Sequence, residues 1–61
     1  MSLNQATADD VADLPGIGMA FAGTLIGSRP PTGYRSWDEV AEVKGVGPAR
    51  LRLLQERFTV P

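Results

Sequence analysis

The stretches LPGIGMAFAG (14–23) and VKGVGPARLR (43–52) share the spacing of two glycines and of the apolar residue between them. They lie inside longer segments, 7–26 and 36–55, that align at an offset of 29 residues. Identical residues occur along the whole of both segments, and conservative pairs lie between them. An offset shared by so many positions indicates an internal repeat of one structural unit.

Each repeat begins with the signature of a helix N-terminus. Thr7 precedes Asp10 by three residues, which is the spacing of a capping box. Ser36 and Glu39 repeat that spacing. In a capping box the hydroxyl accepts from the third helical amide, and the acid accepts from the amide of the cap residue. We therefore interpret these acids as caps and not as paired catalytic carboxylates.

The apolar spacing predicts two helices in each repeat, joined by a hairpin at 14–18 in the first repeat and at 43–47 in the second. The predicted helices cover residues 8–13, 19–28, 37–43 and 48–58. Glycine reaches positive φ at little cost, so each Gly-x-Gly supports a tight reversal. The residue between the glycines, Ile17 or Val46, is expected to point into the core. Pro48 suits the first position of its helix, where an amide has no intrahelical partner.

The composition fits one small domain spanning 1–61. The chain has no cysteine and no histidine, and 43% of its residues are hydrophobic. We expect no catalytic residue, no metal and no cofactor, because the usual side chains are missing and the chain is too short to enclose a pocket. No run of residues has the length and hydropathy of a membrane span.

The net charge of −1 conceals an uneven distribution. Residues 1–28 carry three acids and no base, which gives −3. Residues 29–61 carry six bases and four acids, which gives +2, and the two halves sum to −1. An anionic partner therefore fits the second half better than the first.

A linker at 29–35 separates the first predicted unit, 7–28, from the second, 36–58. Its Pro-Pro pair cannot continue a helix. Tyr34 is expected to fill the core. For Trp37, burial in the core and stacking on a nucleotide base are alternatives of about equal weight.

Two helices joined by this hairpin, in tandem, resemble the helix-hairpin-helix family in its paired form. The stretches LNQATADDVADLPGIG (3–18) and VKGVGPARLRLL (43–54) resemble, more closely, the DNA-binding domain of ComEA-type competence proteins. A more distant similarity is to the extrinsic photosystem II U protein, which shares the fold without a role on DNA. The resemblance implies an all-α fold, with two tandem motifs packed as a pseudo-two-fold four-helix, SAM-like domain.

The resemblance also implies binding to double-stranded DNA without sequence preference, through phosphates across the minor groove, as part of DNA uptake. The first amides of a helix lack partners and lie at the positive end of its dipole, which suits a phosphate. Basic residues of the second motif would add salt links. The implied DNA-binding residues are Gly16, Ile17, Gly18, Met19, Lys44, Gly45, Val46, Gly47, Ala49, Arg50 and Arg52.

The first motif departs from the family's pattern because it has no base. The positions equivalent to Lys44, Arg50 and Arg52 are Pro15, Phe21 and Gly23. Two bases in or near the linker, Arg29 and Arg35, are candidates to compensate. On this interpretation, neutralising the pair Lys44 and Arg50 weakens DNA binding far more than a change at Phe21.

The alternative function is that of a protein-interaction or structural domain on the same scaffold. Met19 and Phe21 would then form an exposed apolar patch for a protein partner. The bases Arg50 and Arg52 would instead be engaged by acids nearby in sequence, namely Glu39, Glu42 or Glu56. The compartment stays open: it is bacterial and extracytoplasmic if the chain is part of an anchored competence protein, and otherwise cytoplasmic.

Overall fold

The computed structural model describes all 61 residues and contains helices but no strands. The prediction of an all-α fold is confirmed. A short 3-10 helix, Leu3–Gln5, precedes four α-helices: α1 Ala8–Ala12, α2 Met19–Gly27, α3 Trp37–Ala41 and α4 Pro48–Arg57. The two repeats thus have the same order of one short and one longer helix. No helix has the length and apolar character needed to cross a membrane.

The N-terminus of α1 has the predicted capping box. The Thr7 hydroxyl accepts from the Asp10 amide at 3.3 Å, and the Thr7 amide donates to the Asp10 carboxylate at 2.9 Å. Both bonds use backbone amides that the N-terminus of a helix otherwise leaves without a partner. This half of the capping prediction is confirmed.

The corresponding prediction for α3 is wrong. Ser36 is the N-cap residue, but its side chain makes no capping bond. The Glu39 carboxylate reaches one residue further back and accepts from the Arg35 amide at 2.6 Å. The backbone is more extended at Ser36, with φ of −152°, than at Thr7, with φ of −92°, so identical spacing gives different partners.

These two caps provide a matched pair of variants for stability. Thr7→Ala removes a capping bond and is expected to lower the free energy of unfolding by about 1 kcal/mol. Ser36→Ala removes a hydroxyl without a capping bond, so the expected change is within about 0.5 kcal/mol. Urea denaturation followed by circular dichroism measures both. Equal losses in the two variants would contradict the difference between the caps.

The two hairpins have the same backbone conformation. Gly16 and Gly45 lie in the left-handed region, with φ of +79° and +96°, which disfavours a side chain. The second glycine of each pair, Gly18 or Gly47, has ordinary extended φ and is the N-cap of the following helix. Only the first glycine of each pair is therefore required by backbone conformation.

Eleven buried side chains form the core, and no polar or charged side chain is among them. They come from the N-terminal segment, both repeats and the linker: Leu3, Ala6, Val11, Leu14, Ile17, Ala22, Leu25, Tyr34, Val40, Leu54 and Phe58. The apolar residue of the first hairpin is buried as predicted, whereas Val46 of the second is half-buried. Trp37 is half-buried and packs against the core.

Tyr34 connects the linker to the end of α2. Its side chain is only 1% exposed, and its hydroxyl donates to the Leu25 carbonyl at 2.7 Å. This carbonyl is one of those that a helix C-terminus leaves without an intrahelical partner. Burial raises the pKa of Tyr34, and the nearby charge of Arg29 partly opposes that shift. The prediction that Tyr34 belongs to the core is confirmed.

The N-terminal segment is fixed by the linker and by the C-terminus. The Asn4 side chain donates to the Tyr34 carbonyl at 2.8 Å and accepts from the Tyr34 amide at 2.6 Å. The Arg29 guanidinium donates to the carbonyl oxygens of Leu3 and Ala6. The Leu3 amide donates to the carbonyl of Thr59 at 2.9 Å. These bonds join the first residues to parts of the chain far away in sequence.

Candidate nucleic-acid interface

The starts of α2 and α4 present backbone amides that make no hydrogen bond within the chain. The first bond of α2 runs from the Ala22 amide to the Gly18 carbonyl at 3.0 Å. The first bond of α4 runs from the Leu51 amide to the Gly47 carbonyl at 2.9 Å. The unbonded amides before these bonds include those of Gly16, Gly18, Met19, Ala20 and Phe21 in the first motif, and Gly45, Gly47, Ala49 and Arg50 in the second.

Two of the predicted site residues use their amides to close the hairpins. The Ile17 amide donates to the Leu14 carbonyl at 3.2 Å, and the Val46 amide donates to the Val43 carbonyl at 3.1 Å. These amides are not free for a ligand. Their contribution to a site is to hold the flanking glycines in place.

The glycine before each helix leaves its N-terminus open. Gly18 and Gly47 are exposed, and a Cβ added at either position would meet no atom within 4 Å. A side chain at Gly18 or Gly47 would therefore point into open space. An anion can approach the free amides there, and the helix dipole favours negative charge at that place.

The three predicted bases of the second motif differ in their surroundings. Lys44 and Arg52 are exposed. Arg50 is half-buried, and its Nη1 donates to the Gly45 carbonyl at 2.9 Å. Its guanidinium carbon lies 4.6 Å from the centroid of the Phe21 ring, a cation–π contact.

Phe21 therefore joins the first motif to the second. A Cβ added at Gly45 would lie 3.4 Å from two carbons of the Phe21 ring, so the ring lies next to the second hairpin. The ring is half-buried and lies against the Arg50 guanidinium. Because Phe21 and Arg50 are equivalent under the offset of 29 residues, the two repeats meet through corresponding positions.

This contact corrects two expectations about the alternative function. Met19 is 54% exposed, but Phe21 is half-buried beneath Arg50, so the two do not form one exposed apolar patch. The partners of the Arg50 guanidinium are the Gly45 carbonyl and the Phe21 ring, and not a neighbouring glutamate. The structure gives the proposed protein-binding patch no support.

The expectation that both linker bases compensate for the uncharged first motif is wrong for Arg29. Its side chain is half-buried, and its guanidinium is used by the carbonyls of Leu3 and Ala6. A guanidinium held inside the fold in this way cannot serve as a mobile surface cation. Arg35 is exposed.

No group of three or more side chains that could hold a metal ion occurs in the structure.

Sequence reasoning missed the contact between Phe21 and Arg50. The repeat places these residues at equivalent positions, but that equivalence was interpreted only as a difference in charge between the motifs. Spacing along the chain does not show which side chains of the two motifs meet.

The comparisons with known proteins agree with this geometry at the level of the family. The profile of the helix-hairpin-helix motif matches residues 1–59, a span that includes all four helices and both hairpins. Motifs of this family are generally associated with nucleic-acid binding. No curated protein and no solved structure gives a significant match. By the extent of the profile match and by its paired hairpins, the chain belongs to the helix-hairpin-helix family.

Proposed function

We propose that the protein binds double-stranded DNA without sequence preference, using the free amides of both hairpins and the bases of the second motif. The observation that carries the proposal is the pair of open helix N-termini. Each has unbonded amides and an exposed glycine at which an added Cβ would meet no atom within 4 Å. Two such ends on one small domain can each hold a phosphate of the DNA backbone.

The chemistry of the site favours contacts to phosphate over contacts to bases. Backbone amides and helix dipoles recognise negative charge and carry no sequence information. The exposed Lys44 and Arg52 add positive charge close to the second hairpin. Contacts of this kind position a protein on a duplex, and their strength depends on salt concentration.

The two motifs contribute unequally in this proposal. The first offers amides without a base, whereas the second offers amides together with Lys44, Arg50 and Arg52. We expect three to five phosphate contacts in total, with a dissociation constant at physiological salt of roughly 10⁻⁴–10⁻⁶ M. An affinity of that size suits a protein that acts in several copies or beside another DNA-binding domain.

The resemblance to ComEA-type competence proteins supports a more specific role in DNA uptake. A sequence-independent hold on incoming duplex DNA is the chemistry that such a role requires. The proposed role is binding without catalysis. Deleting the gene in its natural host and measuring transformation by duplex DNA tests the uptake role separately, because DNA binding in vitro does not depend on it.

The DNA-binding proposal is tested by mapping amide chemical shifts during addition of a short duplex to ¹⁵N-labelled protein. The amides of Gly16, Gly18, Gly45 and Gly47 are expected to shift most. The amide of Gly33, which donates to the Pro30 carbonyl in the linker, is the internal control. The proposal fails if no amide moves at low salt, or if the shifts concentrate in the linker.

Adding a base to the first motif is expected to strengthen binding. Gly23 is the position equivalent to Arg52, and a Cβ there would meet no atom within 4 Å. Gly23→Arg adds one phosphate contact, which corresponds to about eightfold tighter binding at 0.1 M salt and a salt slope steeper by about 0.9. The substitution also replaces a helical glycine, so α2 is expected to become more stable by up to about 1 kcal/mol.

Gly27→Arg is the matched control for this variant. It adds the same charge and replaces another open glycine, but at the end of α2, about 12 Å along the helix from the hairpin. A smaller gain in affinity is expected for Gly27→Arg. Equal gains in the two variants would mean that net charge, and not position beside the hairpin, controls binding.

A further inference from the structure

We propose that Phe21 is a positioning residue, which holds Arg50 in place at the second hairpin so that the uncharged motif supports the charged one. This inference rests on the proposed DNA-binding function. It assigns to Phe21 a part in phosphate binding, although its side chain has no charge and no hydrogen-bonding group. It also gives a physical reason for the unequal charges of the two motifs.

Two contacts fix the Arg50 guanidinium. Its Nη1 donates to the Gly45 carbonyl at 2.9 Å, and its central carbon lies 4.6 Å from the Phe21 ring centroid. A free arginine loses much rotamer freedom when it binds a ligand, which weakens the binding. Because Arg50 is already held, it has less freedom to lose when a phosphate arrives.

The held guanidinium keeps most of its donors available. Arginine has five N–H groups, and the bond to Gly45 uses one of them. A cation–π contact involves the face of the guanidinium or its charge and does not consume a donor. The carbonyl that holds Arg50 belongs to the same hairpin whose free amides are proposed to contact phosphate. The guanidinium and these amides therefore lie at one end of α4.

The Phe21 ring also lies next to Gly45. Two ring carbons lie 3.4 Å from the position that a Cβ on Gly45 would take, which is an ordinary van der Waals distance. The positive φ of +96° is the reason that this position favours glycine. The ring, the hairpin backbone and the guanidinium form one packed unit across the two motifs.

The repeat explains why position 21 carries an aromatic residue and not a second arginine. Phe21 and Arg50 are equivalent positions that lie next to each other. An arginine at both positions would place two like charges side by side, which is unfavourable. A phenyl ring at one of them replaces this repulsion with an attractive contact.

A double-mutant cycle in duplex binding tests the inference. Phe21→Leu keeps an apolar side chain but removes the ring, and is expected to weaken binding about two- to fivefold, the equivalent of one exposed cation–π contact. In an Arg50→Ala background the same substitution is expected to have no further effect. Phe21→Tyr keeps the ring and is expected to stay within about twofold of the wild-type affinity. A Phe21→Leu effect that persists without Arg50 would overturn the inference.

A measurement without DNA separates this inference from the proposed function. In the free protein, the Arg50 Hδ protons are expected to show an upfield ring-current shift that Phe21→Leu abolishes and Phe21→Tyr retains. Duplex binding without that shift would overturn the role of Phe21 alone. If the shift is present and the wild-type protein binds no duplex at low salt, the proposed function is refuted, and the role of Phe21 in binding with it.

Discussion

Replacing Lys44 and Arg52 together with alanine is expected to weaken duplex binding roughly 60-fold at 0.1 M salt. Each phosphate contact contributes about 0.9 to the slope of log K against log salt. Between 1 M and 0.1 M salt, two contacts therefore change the binding constant by about 1.8 log units. Both side chains are exposed beside the second hairpin and are free to contact phosphate. Fluorescence anisotropy with a labelled duplex, repeated at several salt concentrations, measures both the affinity and the slope.

The matched control is the double variant Arg35→Ala with Arg57→Ala. It changes the net charge equally and also removes two exposed bases. Arg57 lies at the far end of α4, about 14 Å from its first residue. We expect its affinity to fall by less than about threefold, because Arg57 lies far along α4 from the hairpin, Arg35 lies in the linker outside the second motif, and salt screens exposed charges that do not touch a phosphate. Equal losses in both double variants would contradict a site localised at the second hairpin.

Tyr34→Ala is expected to remove a large part of the free energy of unfolding at 25 °C. Removing a large buried side chain costs about 3–5 kcal/mol, whereas a domain of this length has a total stability of about 3–9 kcal/mol. The substitution also removes the donor to the Leu25 carbonyl at the end of α2. Urea denaturation followed by circular dichroism tests this expectation directly.

Tyr34→Phe separates the hydroxyl from the ring. It keeps the packing and leaves the Leu25 carbonyl without its donor, so a loss of about 1–3 kcal/mol is expected. The two variants should therefore fall in the order wild type, Tyr34→Phe, Tyr34→Ala in urea midpoint. A Tyr34→Ala protein with a wild-type midpoint would contradict the central place of this side chain in the core.

The repeat made the fold predictable from the sequence. Two equivalent glycine pairs, each preceded by a helix start signal and followed by an apolar helical pattern, determine the order of the helices. Local rules were sufficient for the order of the helices because hairpins and short helices depend on residues close together in the chain. The helices of the structure begin at the predicted residues and end one or two residues earlier.

Contacts between residues distant in sequence were not predictable in this way. One local contact also differed from its prediction, since Glu39 accepts from the Arg35 amide and Ser36 makes no capping bond. The sequence suggested that Arg29 is a surface base. In the structure it donates to a carbonyl of the N-terminal 3-10 helix, which the sequence analysis did not predict. The sequence shows which chemical groups each residue carries. The hydrogen-bond partners of those groups depend on which other residues the fold places next to them.

The candidate site shows the same division between local and distant effects. The free amides follow directly from the position of each hairpin before a helix, so the glycine pairs predicted them. The difference between the bound Arg50 and the exposed Arg52 could not be predicted, because it depends on Phe21 of the other motif. Proximity of side chains from the two motifs is a property of packing and not of spacing.

The most direct test of the central claim is a salt-dependent titration of the wild-type protein with two duplexes of equal length and unrelated sequence. We expect equal affinities for the two duplexes and a slope of log K against log salt of about −3 to −4.5, which corresponds to three to five phosphate contacts. No detectable binding at low salt would contradict the claim. So would a clear preference for one duplex, or an affinity that does not change with salt.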